Sequence, residues 1–354
     1  MSSVASNTVV VLSHHVPYGR ITASDFEVKS TGTPSEANLK DHEIIVTPHY
    51  VSVDPYMRGR IVGASDSYVP PFGEGKAIDG YGVAKVVASK SAKFAANDVV
   101  VGAGIPFVKY SVLNVGPGSH LEHLLQKAQG PLADVPVEWH VGNIGMPSFT
   151  AWYGLKEIGK PKKGETIVVS AASGAVGQVV VQLSKLLGLR VVAAAGSDEK
   201  VQYLKDTLKA DVAFNYKKAS SYADALSQAC PKGIDIYFDN VGGEFLDAVL
   251  EKANTFARII ACGAISQYQV EKGQAYGIQN YSRVIARQLT IQGFIISDYY
   301  LSHYAQFVKE ISNYVKKGQF TYKLDVTQGL ENAPQALVGV LEGKNFGKAV
   351  VKVD

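Results

Sequence analysis

The rhythm of hydrophobic positions changes once along the chain. Over residues 1–135, short apolar runs alternate with Gly and Pro, and HEIIVTPHYVSVD (42–54), YGVAKVVAS (81–89) and DVVVGAG (98–104) read as strands. Helical spacing is weak there apart from HLEHLLQKA (120–128), so an all-β, barrel-like domain is expected. After Pro136 the pattern differs. TIVVSAA (166–172) is a continuous apolar run, as in a strand buried on both faces. A glycine-containing turn and the helical pattern VGQVVVQLSKLLG (176–188) follow. Strands at 189–194, 211–216, 234–241, 257–264 and 289–296 then alternate with helical stretches at 198–210, 221–229 and 243–253. This alternation predicts a parallel sheet covered by helices on both faces. An amphipathic helix is expected over 303–319, after which FTYKLDV and KAVVKV turn β-like again. The tail is therefore expected to rejoin the first domain, giving a discontinuous β domain (1–135 and 311–354) and an α/β domain (136–310).

Composition narrows the class. The chain has 354 residues, 46% hydrophobic and 19% charged, enough for two domains with large cores. A net charge of +3 without a dense Lys/Arg cluster argues against nucleic acid. No apolar run approaches the roughly 20 residues of a membrane span. The two cysteines, Cys230 and Cys262, make no disulfide framework and favour a reducing compartment. The N-terminal sequence lacks the features of a signal peptide and the chain ends in KVD, without a lipidation or peroxisomal signal. A cytoplasmic protein is expected.

The candidate chemistry starts at Ala172-Ser173-Gly174-Ala175-Val176-Gly177, a G-x-G-x-x-G shape with Ala first. Gly174 would let backbone approach a pyrophosphate, Gly177 would let helix and strand pack closely, and the N–H groups opening the helix, through Ala175 and Val176, would meet the phosphates. A strand before the turn and a long helix after it favour a dinucleotide site, with a glycine-rich turn of some other α/β protein as the alternative reading. The end of the second strand bears on which nicotinamide cofactor binds. An acidic residue there bonds the ribose 2′-hydroxyl of NAD. This chain has Ala195-Gly196-Ser197 instead, then Asp198-Glu199-Lys200. With no carboxylate to repel a 2′-phosphate, and with Ser197 and Lys200 able to bind one, NADPH is expected. Ser197 or Asp198 as a helix cap, and Lys200 as a solvated surface lysine, are the alternative readings.

Several segments then converge: SVDPYMR (52–58), GYGVAKV (80–86), GMPSFTAWYGL (145–155), AASGAVGQ (171–178), GSDEKVQYLK (196–205), FNYK (214–217), YFDNVGG (237–243), CGAISQY (262–268), QGFIISDY (292–299) and GKNFGKAVV (343–351). On these the chain resembles the zinc-independent medium-chain dehydrogenase/reductases, in the leukotriene B4 dehydrogenase, prostaglandin reductase and alkenal double-bond reductase group. The resemblance implies a Rossmann doubly wound sheet plus a discontinuous GroES-like barrel domain, NADPH as cofactor, and a homodimer, with the strand candidate LTIQGFII as the sheet edge that pairs. It places Tyr56 and Tyr268 at the substrate carbonyl. It places Met146 and Thr150 (with Gly145) along the cofactor cleft, Tyr216 at the adenosine phosphate end, Asn240 and Cys262 near the nicotinamide half, and Asn345 reaching back to the cofactor. Asn240 and Asn345 read from sequence alone could equally be turn asparagines. Phe149 stands where Leu is common and Trp152 where Ala, Tyr or Thr is common, and these departures bear on the substrate.

The residues themselves argue against metal. No cysteine precedes Cys230, and His14, His15, His42, His49, His120, His123 and His140 show no zinc-ligand spacing. Reduction of an alkene conjugated to a carbonyl suits a metal-free site, because a tyrosine hydroxyl, protonated at neutral pH, can stabilise the developing enolate. Any one of the 19 tyrosines picked blindly would be structural, and it is the resemblance that makes Tyr56, stiffened by Pro55 in a loop where Asp54 and Arg58 could pair, the first candidate and Tyr268 the second. Quinone reduction or alcohol oxidation on the same scaffold, and a non-catalytic NADPH-binding protein, are the alternatives.

Overall fold

In the computed structural model, which describes residues 7–128 and 135–353, the chain divides into two compact units. One comprises Met1–Val141, Leu324–Asn345 and Ala349–Asp354, the other Gly142–Lys323 and Phe346–Lys348. The first begins with β1 (Asn7–Leu12) and β2 (Phe26–Thr31), an antiparallel pair. It continues through β3 (Glu43–Ser52), α1 (Met57–Val62), β4 (Asp79–Ser89), β5 (Val99–Pro106), β6 (Ser111–Asn114) and β7 (Leu125–Lys127). The expected helix over 120–128 is absent. A single turn forms at Leu121–Leu125, and the chain then becomes β7, with Leu125 fully buried and paired with Gly102 of β5. The Lys93 ammonium donates to the Glu122 and Leu125 carbonyls, at 2.6 and 2.9 Å, so these acceptors are held outside a helical ladder.

The second unit holds α2 (Met146–Tyr153), which runs into a π-helical turn over Gly154–Gly159. Then come β8 (Thr166–Val169), α3 (Gly177–Leu186), β9 (Arg190–Ala195), α4 (Asp198–Asp206), β10 (Val212–Asn215), α5 (Tyr222–Ala229), β11 (Ile234–Asp239) and α6 (Gly243–Lys252). The unit ends with β12 (Ala253–Ala261), α7 (Ser282–Ala286), β13 (Thr290–Gly293) and α8 (Tyr300–Lys316). Its six strands are all parallel, in the order β10-β9-β8-β11-β12-β13. The first three strands step outward one way and the next three the other way. The crevice at that reversal, between β8 and β11, is where doubly wound sheets bind ligands. Both strands there are almost wholly buried, with apolar cores (IVV in β8, IYF in β11) and Asp235 and Asp239 near the ends of β11.

Phe149 and Trp152, the two departures, are completely buried on α2. Phe149 packs against Tyr304 and Phe307 of α8, at ring-centroid distances of 5.4 and 5.2 Å, and the Trp152 indole N–H donates to Glu310 at 3.1 Å. They build the α2–α8 core, so their bearing on the substrate is not that of exposed lining residues. The first unit is completed by β14 (Leu324–Gln328), α9 (Ala333–Leu341) and β15 (Lys348–Lys352). Its large sheet runs β14-β15-β3-β4-β5-β7, with β6 also on β3. The return, expected at 311, comes at Leu324, because 311 lies within α8. The expected boundary at 135/136 adjoins residues 129–134, which lie outside the described residues.

Candidate active site and cofactor cradle

In the first unit, Tyr56 sits at the N-terminus of α1, immediately after Pro55. Met57, Arg58 and Gly59 N–H groups donate three residues back, to Asp54, Pro55 and Tyr56 carbonyls, at 3.0–3.1 Å, closing a tight turn at the end of β3. Met57 is fully buried and anchors the helix. A Cβ on Gly80 would come within 2.5 Å of its Cε, and a Cβ on Gly82 within 2.9 Å of the Tyr50 carbonyl. The two glycines of GYGVAKV therefore serve packing beneath this turn. The suggested Asp54–Arg58 pair does not describe the loop. Arg58, almost fully buried, donates instead to the Val16 and Gly19 carbonyls at 2.8 and 3.0 Å, and Asp54 accepts from the Ser52 hydroxyl. The carbonyls lie where the guanidinium fork reaches and would otherwise lack a donor.

One turn on from Tyr56, Arg60 holds Asp79 with two contacts of 2.7 and 2.9 Å and lies 3.9 Å over the Phe72 ring. The Tyr56 side chain is half-buried, and its hydroxyl has no hydrogen-bond partner among the described residues. Burial, reinforced by the Asp54, Asp79 and Tyr68 side chains and opposed by the Arg60 charge, holds its pKa well above the usual tyrosine range. The phenol is therefore a proton-bearing donor throughout the physiological pH range.

In the second unit, the turn between β8 and α3 is built on backbone constraints. Ala171 has φ of 47°, a left-handed conformation, and its carbonyl accepts from Gly174 N–H at 3.0 Å. A Cβ on Gly177 would lie 2.6 Å from the Ala172 Cα, so only glycine permits this approach of helix to turn. The N–H groups of Ala175, Val176 and Gly177 have no partner among the described residues. They form a row of donors at the end of a ten-residue helix, suited to a diphosphate. Gln178 and Gln182, on the same helix, pair through their side-chain amides with the backbone of Lys323 and Thr321, and the Tyr322 hydroxyl donates to the Ala175 carbonyl at 3.1 Å.

Beyond β9, Ser197 caps α4, its Oγ accepting from Lys200 N–H at 3.3 Å, so the capping alternative holds for that oxygen. Its hydroxyl hydrogen is still available to donate. Asp198, the acid nearest the absent one, is turned to Asn215 at 2.9 Å and to Lys218, and these contacts hold its carboxyl below the usual range. Gly196 marks a cradle. A Cβ there would be 2.9 Å from the Tyr216 hydroxyl and 3.3 Å from the Lys217 Cε. Lys217, which the sequence reading passed over, thus joins Ser197 and Tyr216 at this corner. Its place beside Tyr216 in FNYK was the available signal.

Asn240, Cys262 and Tyr268 collect at the C-terminal ends of β11 and β12. The Asn240 amide donates to the Ser170 carbonyl at 2.8 Å, tying the loop after β11 to the turn after β8 and leaving its Oδ1 as an acceptor. Asp239 is buried beneath, its Oδ1 accepting from Val241 and Gly242 N–H at 3.0 and 2.7 Å, with the Tyr237 hydroxyl 2.8 Å away. Cys262 N–H donates to the Asp239 carbonyl, and burial, then the Asp239 charge, pushes its thiol up to about 12, so it stays protonated at neutral pH. The Tyr268 hydroxyl accepts from Ala264 N–H at 3.1 Å, which leaves its hydrogen to be donated. Burial raises its pKa, against that hydrogen bond. Met146 is half-buried at the start of α2, and the Thr150 hydroxyl donates back to the Met146 carbonyl at 2.9 Å, so it serves its own helix first. Asn345 lies between α9 and β15, in the first unit with Tyr56. Among the described residues, no three His, Cys, Asp or Glu side chains are grouped as a metal would require.

Residues 10–120 match the N-terminal domain of oxidoreductase, and residues 175–315 match zinc-binding dehydrogenase. The chain is 42% identical to 2-alkenal reductase (NADP(+)-dependent) of Nicotiana tabacum, over 100% of this chain and 99% of that one. It is 40% identical to prostaglandin reductase 1 of Sus scrofa, with 96% of each covered. The crystal structure of CurA in complex with NADPH from Vibrio vulnificus superposes with a TM-score of 0.87 at 38% identity, over 98% of this chain and 99% of that one. The glycine turn, the cradle beside Ser197 and these full-length similarities lead to one statement: the chain belongs to the zinc-independent medium-chain dehydrogenase/reductase family, in its alkenal and prostaglandin reductase group.

Proposed function

We propose that the protein reduces the carbon–carbon double bond of α,β-unsaturated aldehydes and ketones with NADPH. The observation that carries this reading is the half-buried Tyr56 hydroxyl, protonated and without a hydrogen-bond partner among the described residues, on a turn fixed by Pro55 and Met57. The names of relatives support it: 2-alkenal reductase, (+)-pulegone reductase, prostaglandin reductase and curcumin reductase. The chain's own residues fit NADPH. Ala175, Val176 and Gly177 N–H groups suit the diphosphate, and Ser197, Lys200, Tyr216 and Lys217 suit the 2′-phosphate where no acid opposes it.

NADPH, when bound, supplies the hydride that the substrate's β-carbon accepts. The protein's part is to meet the consequence. Negative charge grows on the carbonyl oxygen, and Tyr56 donates its hydroxyl hydrogen to that oxygen, a contact stronger in the transition state than in the ground state. Tyr268 is the second candidate for this role. A proton at the α-carbon completes the saturated product. We also infer a homodimer joined through β13, the exposed edge of the parallel sheet, where Ile291 is 43% exposed and the outer backbone groups offer a template for a second strand.

The test is NADPH absorbance with a short 2-alkenal, an enone, a quinone, and a secondary alcohol plus NADP. Oxidation of NADPH with the alkenal and enone is expected. Tyr56→Phe should lower kcat about a hundredfold, the usual cost of one such donor, with NADPH affinity retained. Full activity of Tyr56→Phe overturns the role of the hydroxyl, and turnover confined to the quinone or alcohol overturns the reaction.

A further inference from the structure

Two glycines and a buried acid beside the crevice hold the Tyr268 segment. Gly242 and Gly243 have φ of 65° and 55°, and the chain after β12 lies directly on them. A Cβ on Gly242 would be 2.8 Å from the Ala264 Cβ, and one on Gly243 would be 2.9 Å from the Ser266 Oγ. Ser266 donates to the Val241 carbonyl from both its N–H (3.1 Å) and its hydroxyl (2.6 Å), and Ile265 N–H donates to the Asn240 carbonyl at 3.2 Å. Residues 264–267 are thus seated on the glycine turn. One turn further along α6, Asp247 is 5% exposed. It accepts from the Tyr276 hydroxyl and from Gln279 and Asn280 N–H, at 3.0, 3.0 and 2.8 Å, while its own carbonyl accepts from the Asn280 amide at 3.2 Å. Tyr276 N–H donates to Gln267 Oε1 at 2.8 Å and joins the two anchorages.

A carboxylate so deeply buried is costly unless donors surround it, and here every donor comes from one excursion of the chain. Tyr268 is the first residue of that excursion after Gln267. We propose that Asp247, with the Gly242–Gly243 seat, is a positioning residue for Tyr268. It fixes both ends of the 264–280 segment so that the phenol is held in one place rather than sampling many. The inference rests on the reading of Tyr268 as a donor to the substrate carbonyl.

The experiment compares Asp247→Ala and Tyr276→Phe in the wild-type protein and in a Tyr268→Phe background, by enone kinetics, NADPH binding and amide hydrogen exchange. Asp247→Ala should lower kcat by about tenfold to a hundredfold, as misplacement of a reacting group does, with NADPH affinity unchanged. Exchange at Tyr276, Gln279 and Asn280 should accelerate. In the Tyr268→Phe background the same change should cost less than about twofold, because the two residues act as a unit. Tyr276→Phe, which removes one partly exposed hydroxyl, should give the same pattern more weakly and serves if Asp247→Ala does not fold. Fully additive losses overturn the positioning role, and unchanged exchange overturns the Asp247 anchorage. An enzyme inactive on every enone overturns the activity alone, since the exchange result still reads that anchorage.

Discussion

At the residue scale, the corner proposed for the 2′-phosphate is the place where sequence and structure complement each other. The missing acid and Ser197 were legible because they fall at a fixed offset from a recognisable turn. Lys217 was signalled only by its place beside Tyr216 in FNYK, because its approach to Gly196 depends on the pairing of β10 beside β9. Lys217→Gln should raise the KM for NADPH by about tenfold, the scale of one charge-assisted contact, leaving kcat and the KM for NADH unchanged. Initial rates with both cofactors decide it, and an equal effect on NADH would place Lys217 outside the phosphate site. Asn240 and Cys262 were read by resemblance as neighbours of the nicotinamide. The Asn240 nitrogen ties two loops together through Ser170, and the Cys262 thiol is held protonated by burial and then by the Asp239 charge, details set by residues distant in sequence.

At the element scale, the alternation from β8 to β13 was readable because each buried strand is a continuous apolar run bounded by turns. Less was readable in the first unit. β2 exposes five of its six residues, so it carries no alternation to detect, and the periodicity of 120–128 was that of a single turn. The α3 turn gives the sharpest element-level expectation. Gly177→Ala drives a Cβ into backbone at Ala172, with an overpacking cost of about 1–3 kcal/mol. That lowers Tm by about 2–4 °C per kcal/mol in a domain of this size. Gly174→Ala meets only the Ala171 carbonyl, at 3.2 Å, so it should keep most of the stability while weakening NADPH binding. Paired melting and cofactor titrations of the two variants check this. Equal loss of stability in both would contradict the division of labour between the two glycines.

At the scale of the whole molecule, family and architecture were legible because ten motifs spread over residues 52–351 occur in order. What sequence did not show is how remote segments support the two proposed donors: Gly80 beneath Met57, and Asp247 beneath the Tyr268 segment. Among the described residues no helix is long and apolar enough to cross a membrane. The β13 edge predicts that the protein sediments as a dimer and that Ile291→Lys, which places a charge on that edge, shifts it toward monomer. A monomeric wild type contradicts the pairing. The central claim, hydride delivery to an activated alkene rather than to a carbonyl, is tested most directly by product analysis. An enone is turned over with NADPH deuterated at both C4 positions. The account predicts a saturated ketone carrying one deuterium at the β-carbon, whereas deuterium on the former carbonyl carbon, in an unsaturated alcohol, would contradict it.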